Sequence, residues 1–153
     1  MIIRNLQKSD LLGLLNLIEG MVDYHHEIDG YYKAFSEYKT LEEDVKFWLN
    51  DKDTRSLVAE DNGKLVGYLR AGVERAPDYA IVKKIGIIYD AFVSEKYRKR
   101  GIARQLLNEA LKWFEIKKAK NIELSVDVRN EAGIRFWKSA GFKEYKFRMR
   151  FDL

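Results

Sequence analysis

Apolar side chains in the first third of the chain take on helical spacing after a short strand-like start. Residues 2–6 form a β-prone run that predicts a strand. From residue 11 onward, leucine, isoleucine and valine return every three or four positions, and Ser9 stands where the N-cap of such a helix would lie. Thr40 followed three residues later by Glu43 has the spacing of a capping box, which predicts the start of a second helix.

The rest of the chain alternates strand-like and helical patterns. Two β-prone runs, residues 56–60 and 65–69, flank Asn62-Gly63, a dipeptide typical of β-hairpin turns. The later patterns predict a strand, a helix, a strand, a helix and a final strand over residues 85–93, 101–118, 122–128, 131–139 and 142–151. This order favours one mixed α/β (α+β) domain over residues 1–153, with a β-α-β crossover near the middle of its sheet.

Composition removes several classes of protein. No apolar run approaches the ~18–20 residues that a membrane-spanning helix needs, and Asn5 interrupts the apolar start that a signal peptide would continue, so we expect a cytoplasmic protein without membrane contact. Cysteine is absent, which excludes disulfides and thiolate chemistry. His25 and His26 are the only histidines, and we expect no metal site.

Charge is distributed unevenly along the chain. The net charge is +4, but five basic residues fall within nine positions between Lys96 and Arg104. Residues 19–29, in contrast, carry four carboxylates and no lysine or arginine. One region therefore suits an anion, and another suits a cation.

The basic cluster lies at the predicted junction of a strand and a helix. The first N–H groups of a helix have no partner within it, and the helix dipole adds about half a positive charge there. Such a helix start binds phosphate without help from side chains. Gly101 and Ala103 would let a diphosphate approach the amides, and Arg98, Arg100 and Arg104 would add charge around it.

This junction resembles the signature of the GNAT superfamily of N-acetyltransferases. That signature is Arg/Gln-x-x-Gly-x-Gly/Ala at the start of a helix, and Arg98 to Ala103 matches every fixed position. A second segment, from Asn130 to Phe142, is similar to the family's Asn-…-Phe-Tyr-…-Gly-Phe segment. The resemblance implies the GNAT fold, a central mixed sheet of six to seven strands flanked by about four helices, with two splayed parallel strands at its middle.

The resemblance also implies where acetyl-CoA would bind. The cofactor would lie in the opening between the strands predicted over residues 85–93 and 122–128, with the backbone of Phe92 and Val93 beside its pantetheine arm. The amide of Val93 would stabilise the oxyanion of the reaction. The implied cofactor-binding residues are Phe92, Val93, Arg98, Lys99, Arg100, Gly101, Ile102, Ala103, Arg104, Asn130, Phe136 and Trp137.

Catalytic side chains are harder to assign. The family often has tyrosine at the position of Trp137, where its hydroxyl protonates the departing thiolate, and an indole N–H is not a usable acid. Water, Tyr145 or Tyr97 could replace it. Deprotonating a lysine-like amine at pH 7 costs about 4.6 kcal/mol and a peptide α-amine about 1 kcal/mol, so a base matters mainly for alkylamines. Asp90 is our first choice, ahead of Glu74 and Asp127.

The acceptor would bind near residues 23–32, where the resemblance puts the acceptor loop. Acidic and aromatic side chains together suit an organic cation, through charge pairing and cation–π contact. We therefore expect a small-molecule or peptidic amine substrate. The candidate acceptor contacts are Tyr24, Glu27, Tyr31 and Asp127.

Two other functions fit the same residues. The protein could bind acyl-CoA as a sensor without turnover, because Trp137 replaces the usual tyrosine. It could instead be a nucleic-acid-binding module that uses the basic cluster, although phosphate contacts alone give weak specificity, and we expect no nucleic-acid partner. Alternation in residues 146–151 leaves one apolar face, which suggests self-association as a homodimer.

Overall fold

The computed structural model describes residues 1–153 and contains four α-helices and five β-strands. The helices are α1 (Leu11–Ile28), α2 (Leu41–Asn50), α3 (Ile102–Ile116) and α4 (Glu131–Ser139). The strands are β1 (Ile2–Asn5), β2 (Thr54–Asp61), β3 (Lys64–Arg75), β4 (Lys84–Val93) and β5 (Asn121–Leu124). None of the four α-helices combines the length and the apolar character that a membrane span requires.

The strands form one mixed sheet in the order β1-β2-β3-β4-β5. The first four strands are antiparallel, and β5 runs parallel to β4 because α3 provides the crossover between them. The predicted hairpin joins β2 to β3. Asn62 and Gly63 both have positive φ, 49° and 78°, as this two-residue turn requires.

Strands β4 and β5 diverge after a short stretch of pairing. Their last paired residues are Ile88 and Leu124, whereas β4 continues to Val93 with no strand beside it on that side. The pairing of β4 with β3 shifts register at the same level, where Tyr89 is an extra residue on β4. A β-bulge of this kind bends its strand and increases its twist, which favours the divergence. The sheet therefore has an opening beside residues 89–93.

Helices cover both faces of the sheet. On one face, α3 packs Ile102, Leu106, Leu107, Ala110 and Phe114 against β2, β3 and β4. On the other face, α1 and α2 pack against β2 and β3 through a separate apolar cluster. The two layers hold the start of α3 next to the end of β4, which is the junction identified in the sequence.

The structure corrects several details of the predicted fold. The sheet has five strands, and residues 142–151 form no strand, so the parallel pair lies at one edge of the sheet. Strand β5 ends at Leu124, because Asp127 turns the chain by accepting a hydrogen bond from the backbone N–H of Arg129. The N-cap of α1 is Asp10, not Ser9, and the Thr40 side chain makes no capping hydrogen bond at α2.

Candidate functional site

The loop before α3 leaves a row of backbone donors free. The consecutive N–H groups of residues 99–104 donate no hydrogen bond within the protein, and the first bonded amide is that of Gln105, which donates to the carbonyl of Gly101. Lys99 and Gly101 hold the loop open with positive φ angles of 61° and 76°. A Cβ placed on Gly101 would meet no atom within 4 Å, so the space beside Gly101 is open. The site therefore has the form of an anion-binding helix start.

The basic side chains of this loop have different partners. Arg98 donates from Nε to the carbonyl of Val93 at 3.1 Å, and Arg100 lies over the ring of Tyr97 at 5.2 Å. Arg104 turns away from the loop and donates to the carbonyl and hydroxyl of Ser139 on α4. Lys99 is exposed. Ile102 is buried in the core, so only its backbone faces the site.

The backbone of β4 presents alternate residues to the opening in the sheet. The backbone N–H of Ser94 donates to the carbonyl of Val66, so these two residues form a hydrogen-bonded pair between β4 and β3. Along antiparallel strands such pairs alternate with pairs whose backbone groups point away from each other. Because of this alternation, the N–H and C=O groups of Phe92 face β3, whereas those of Ala91 and Val93 face the opening. The backbone of Phe92, which the resemblance puts beside the cofactor arm, is thus turned toward β3, whereas the backbone of Val93 faces the opening. The backbone of Ala91 also faces the opening. Sequence reasoning missed Ala91 because the pairing of β4 with β3 decides which backbone groups point outward.

Asn130 and Tyr24 meet at the start of α4. Asn130 caps this helix, because its Oδ1 accepts a hydrogen bond from the backbone N–H of Gly133 at 2.9 Å. The same oxygen accepts a hydrogen bond from the hydroxyl of Tyr24 at 3.1 Å. The ring of Tyr24 also lies 5.7 Å from the guanidinium of Arg98. The structure thus brings a predicted acceptor residue into contact with two predicted cofactor residues.

Trp137 is a packing residue in this structure. Its ring makes edge contacts with Phe136 at 4.8 Å and with Phe142 at 5.4 Å, and it packs against the core cluster under α3. Phe136 in turn lies below the guanidinium of Arg104. These contacts attach α4 to the start of α3.

Asp90 is engaged in an ion pair across the sheet. Its Oδ2 accepts a hydrogen bond from Nε of Arg70 at 2.8 Å, and both side chains are about four-fifths buried. The guanidinium of Arg70 is held between two rings, 4.3 Å from that of Trp48 and 4.4 Å from that of Tyr89. Arg70 is thus a neighbour of the predicted base that the sequence did not reveal.

Tyr89, the extra residue of the bulge, points to the same face as Arg70. Its hydroxyl donates to Oε1 of Glu74 at 2.6 Å. The pKa of Tyr89 is raised to about 12, mainly because the phenol is partly buried and secondly because it donates to this carboxylate. Its ring occupies the space beside Gly72, where a Cβ would lie only 2.6 Å from the ring.

Tyr145 lies away from the opening. Its hydroxyl donates to Glu123 of β5, and that hydrogen bond raises the pKa of the phenol. Glu123 is paired with Ile87, six positions before Val93, which is about 20 Å along β4 at the usual rise per residue. Tyr145 is therefore not positioned to protonate a thiolate beside Val93.

The acidic residues predicted to attract a cation are largely neutralised. Asp29 accepts hydrogen bonds from Arg129 at 2.5 Å and from Arg150 at 3.1 Å, and the Arg129 hydrogen bond is the main cause that lowers the pKa of Asp29 to about 2. The pKa of Asp127 is also lowered, because Arg129 donates to its carboxylate. Tyr31 lies 4.5 Å from Arg150.

Glu27 is the exception among the predicted acceptor contacts, because it is exposed and makes no ion pair. The two arginines that neutralise its neighbours come from the loop after β5 and from the end of the chain. Nothing in the local sequence around residues 23–32 indicates them. Only the folded chain brings these segments together.

Comparison with known proteins agrees with this architecture. A sequence profile described as the acetyltransferase (GNAT) family matches residues 21–142. The chain belongs to this family. An uncharacterised N-acetyltransferase of Methanocaldococcus jannaschii is 30% identical over 143 residues, which cover 93% of this chain and 60% of that protein.

Two further proteins are similar to this chain, one in sequence and one in fold. An N-alpha-acetyltransferase of Sulfurisphaera tokodaii is 32% identical over 103 residues, which cover 64% of this chain and 62% of that protein. The chain thus spans about three-fifths of the length of these two relatives. The aminoglycoside N-acetyltransferase AAC(6')-Iy, solved in complex with CoA, has the same fold with a TM-score of 0.78, 17% identity, and coverage of 99% of this chain and 98% of that one.

Proposed function

We propose that this protein transfers an acetyl group from acetyl-CoA to a primary amine by direct attack of the amine on the thioester. One observation carries the proposal. Six consecutive unbonded amides at the start of α3 follow a strand whose outer edge is open, and only residues 94–98 separate the two. An anion-binding helix start beside an open strand edge suits a ligand that has a diphosphate at one end and an amide-containing arm behind it. The solved CoA complex of AAC(6')-Iy supports this choice of ligand.

Residues of this chain would divide the binding between them. The amides of residues 99–104 would hold the diphosphate, with Arg98 and Arg100 adding charge. Asn130 and Phe136 would form the α4 side, and Trp137 would support them from the core. The backbone groups of Ala91 and the N–H of Val93 would bind the pantetheine arm, because the carbonyl of Val93 accepts a hydrogen bond from Arg98. The N–H of Val93 or of Ala91 would then donate to the thioester oxygen and stabilise the oxyanion. Acetyl-CoA supplies the acetyl group already activated as a thioester.

The absence of a free base favours a weakly basic acceptor. Asp90, the predicted base, is paired with Arg70, and Glu74 accepts a hydrogen bond from Tyr89. The departing thiolate would take its proton from water, because Trp137 is no acid and Tyr145 is distant along β4. Removing the proton from an α-amine at pH 7 costs about 1 kcal/mol, whereas removing it from a lysine-like amine costs about 4.6 kcal/mol. The substrate class would therefore be an α-amine of a peptide or a small molecule. The relative named N-alpha-acetyltransferase supports this choice.

A binding experiment tests the cofactor. Isothermal titration with CoA should give a salt-sensitive affinity that Arg100→Glu weakens at least about tenfold, because one favourable charge becomes repulsive. Lys112→Glu is the matched control, since this exposed lysine lies on α3 away from its start. An unmodified protein that does not bind CoA would refute the proposal.

A turnover experiment tests the reaction. Release of free thiol from acetyl-CoA, followed with a panel of amines at pH 7, should be fastest with peptides that have a free N-terminus and slow with the same peptides blocked at that position. CoA binding without thiol release for any amine would instead support a role as an acyl-CoA sensor.

A further inference from the structure

Tyr24 lies where α1 crosses the end of β4. Gly20, one turn earlier on the same face of α1, is close to Phe92 of β4, because a Cβ added to this glycine would be 3.1 Å from the ring of Phe92. The small size of Gly20 therefore lets the helix approach the strand. This approach carries Tyr24 to the loop before α3, where the guanidinium of Arg98 lies 5.7 Å from the rings of both Tyr24 and Phe92.

A series of contacts through Tyr24 connects the end of β4 with the start of α4. The carbonyl of Val93 accepts a hydrogen bond from Nε of Arg98, whose guanidinium lies near the ring of Tyr24. The hydroxyl of Tyr24 donates to Oδ1 of Asn130 at 3.1 Å, and the same oxygen accepts from the backbone N–H of Gly133. Val93 ends β4, and Asn130 follows β5, so these two residues stand on the two sides of the opening. Tyr24 therefore links both sides, although it belongs to neither strand.

These hydrogen bonds determine which atom of the Asn130 amide is free. A backbone N–H can only donate, so the Asn130 atom that contacts Gly133 is the carbonyl oxygen, Oδ1. The hydroxyl of Tyr24 donates to the same oxygen, and the two donors together use both of its lone pairs. The other amide atom, Nδ2, makes no hydrogen bond within the protein. Asn130 therefore offers a ligand a donor and not an acceptor.

Gly133 leaves the space that this orientation of Asn130 needs. A Cβ added to Gly133 would lie 2.7 Å from Nδ2 and 3.0 Å from Oδ1 of Asn130, which is closer than packed atoms approach each other. Gly133 lies inside α4, where alanine would favour the helix more than glycine does. A residue that weakens its own helix thus makes room for the amide of Asn130.

We propose that Tyr24 is a positioning residue for the cofactor, and that it holds Asn130 so that Nδ2 donates to an amide carbonyl of the pantetheine arm. This inference rests on the proposed function, because the ligand is acetyl-CoA. Without the hydroxyl of Tyr24, Asn130 would keep its hydrogen bond to Gly133 but would be held at one point only. Tyr24 lies in the segment predicted to bind the acceptor, but its contacts assign it to the cofactor.

Calorimetric titration of Tyr24→Phe with two ligands tests which part of the cofactor senses the hydroxyl. Phenylalanine keeps the ring beside Arg98 and removes only the hydroxyl. CoA should bind about 3- to 10-fold more weakly, which is the range of one hydrogen bond. The nucleotide 3′-phospho-ADP, which has the phosphates of CoA but lacks the arm, should bind with unchanged affinity. Tyr38→Phe is the matched control, because it removes a partly exposed hydroxyl that makes no hydrogen bond.

A double-mutant cycle tests whether Tyr24 acts through Asn130. Asn130→Ala should weaken CoA binding at least as much as Tyr24→Phe does, and adding Tyr24→Phe to it should change the affinity by less than about twofold. Gly133→Ala should also weaken CoA binding, because its methyl group displaces the amide of Asn130. Circular dichroism at the titration temperature checks that each variant is folded. Losses that simply add in the double variant would overturn the inference.

The outcomes separate this inference from the proposed reaction. An unmodified protein that does not bind CoA would contradict both. CoA binding that is the same for Tyr24→Phe and the unmodified protein would contradict only the role of Tyr24. A Tyr24→Phe variant with a raised KM for the amine and an unchanged affinity for CoA would place the hydroxyl on the acceptor side, and would also contradict that role.

Discussion

Replacing Gly101 with alanine separates two effects that this position combines. Its φ of 76° lies in the left-handed region, where a residue with a Cβ is strained by about 1–2 kcal/mol. Alanine would also place a methyl group in the open space beside Gly101, in the middle of the row of free amides. We expect both a loss of stability and a loss of affinity for CoA, for different reasons.

Gly63 is a matched control for the strain. Its φ is 78°, and a Cβ there also meets no atom within 4 Å, but it lies in the β2–β3 hairpin. Strain of about 1–2 kcal/mol should lower the melting temperature of either variant by roughly 2–8 °C in a chain of this length. The two variants should therefore melt at similar temperatures.

Only the Gly101→Ala variant should bind CoA more weakly. If the methyl group removes one hydrogen bond from an amide to a charged phosphate, the loss is about 1.5–3 kcal/mol, or roughly 10- to 100-fold in Kd. Calorimetric titration of the folded proteins well below their melting temperatures measures this directly. Equal affinities for the unmodified, Gly63→Ala and Gly101→Ala proteins would refute a diphosphate site at these amides.

Three further changes test the surroundings of the site. Trp137→Tyr should leave CoA affinity within a few-fold, because the ring packs on the protein. It should raise kcat up to about 30-fold, the equivalent of ~2 kcal/mol, if a proton donor limits the reaction. A large loss of affinity would mean that the indole contacts CoA. Arg70→Met should lower the free energy of unfolding in urea by about 1–3 kcal/mol, because it leaves the carboxylate of Asp90 largely buried and unpaired, and adding Asp90→Asn should restore part of that loss. Asp29 has a pKa lowered to about 2, so its contribution to stability is complete above its unfolded pKa of about 3.9 and disappears as pH falls toward 2. Asp29→Asn should therefore melt below the unmodified protein at pH 6 and together with it near pH 2, and a difference in melting temperature that persists at pH 2 would contradict the pairing.

Local patterns predicted the elements that build the site. The start of α3 was expected at Gly101 and occurs at Ile102, and α4 has the predicted bounds. Helices and hairpin turns are determined by residues a few positions apart, through backbone hydrogen bonds, capping and glycine conformation. The free amides belong to this local class. A single stretch of six residues therefore predicts free amides without reference to the rest of the fold.

Other features depended on partners far away in the sequence. Residues 142–151 have the alternation of a strand, but a strand also needs a neighbour, and none pairs with them in this chain. The carboxylate of Asp29 meets Arg150 across 121 positions, and Asp90 meets Arg70 across 20. Such pairings decided which carboxylates are free to act.

The sequence by itself determined the order of elements as far as α4 and the helix start with its open amides, because each depends on short-range backbone geometry and on apolar spacing. Tertiary structure alone decided where β4 and β5 part, which backbone groups of β4 face the opening, and which acidic residues keep their charge unpaired. These depend on distances between segments that are remote along the chain, and no local pattern encodes such distances.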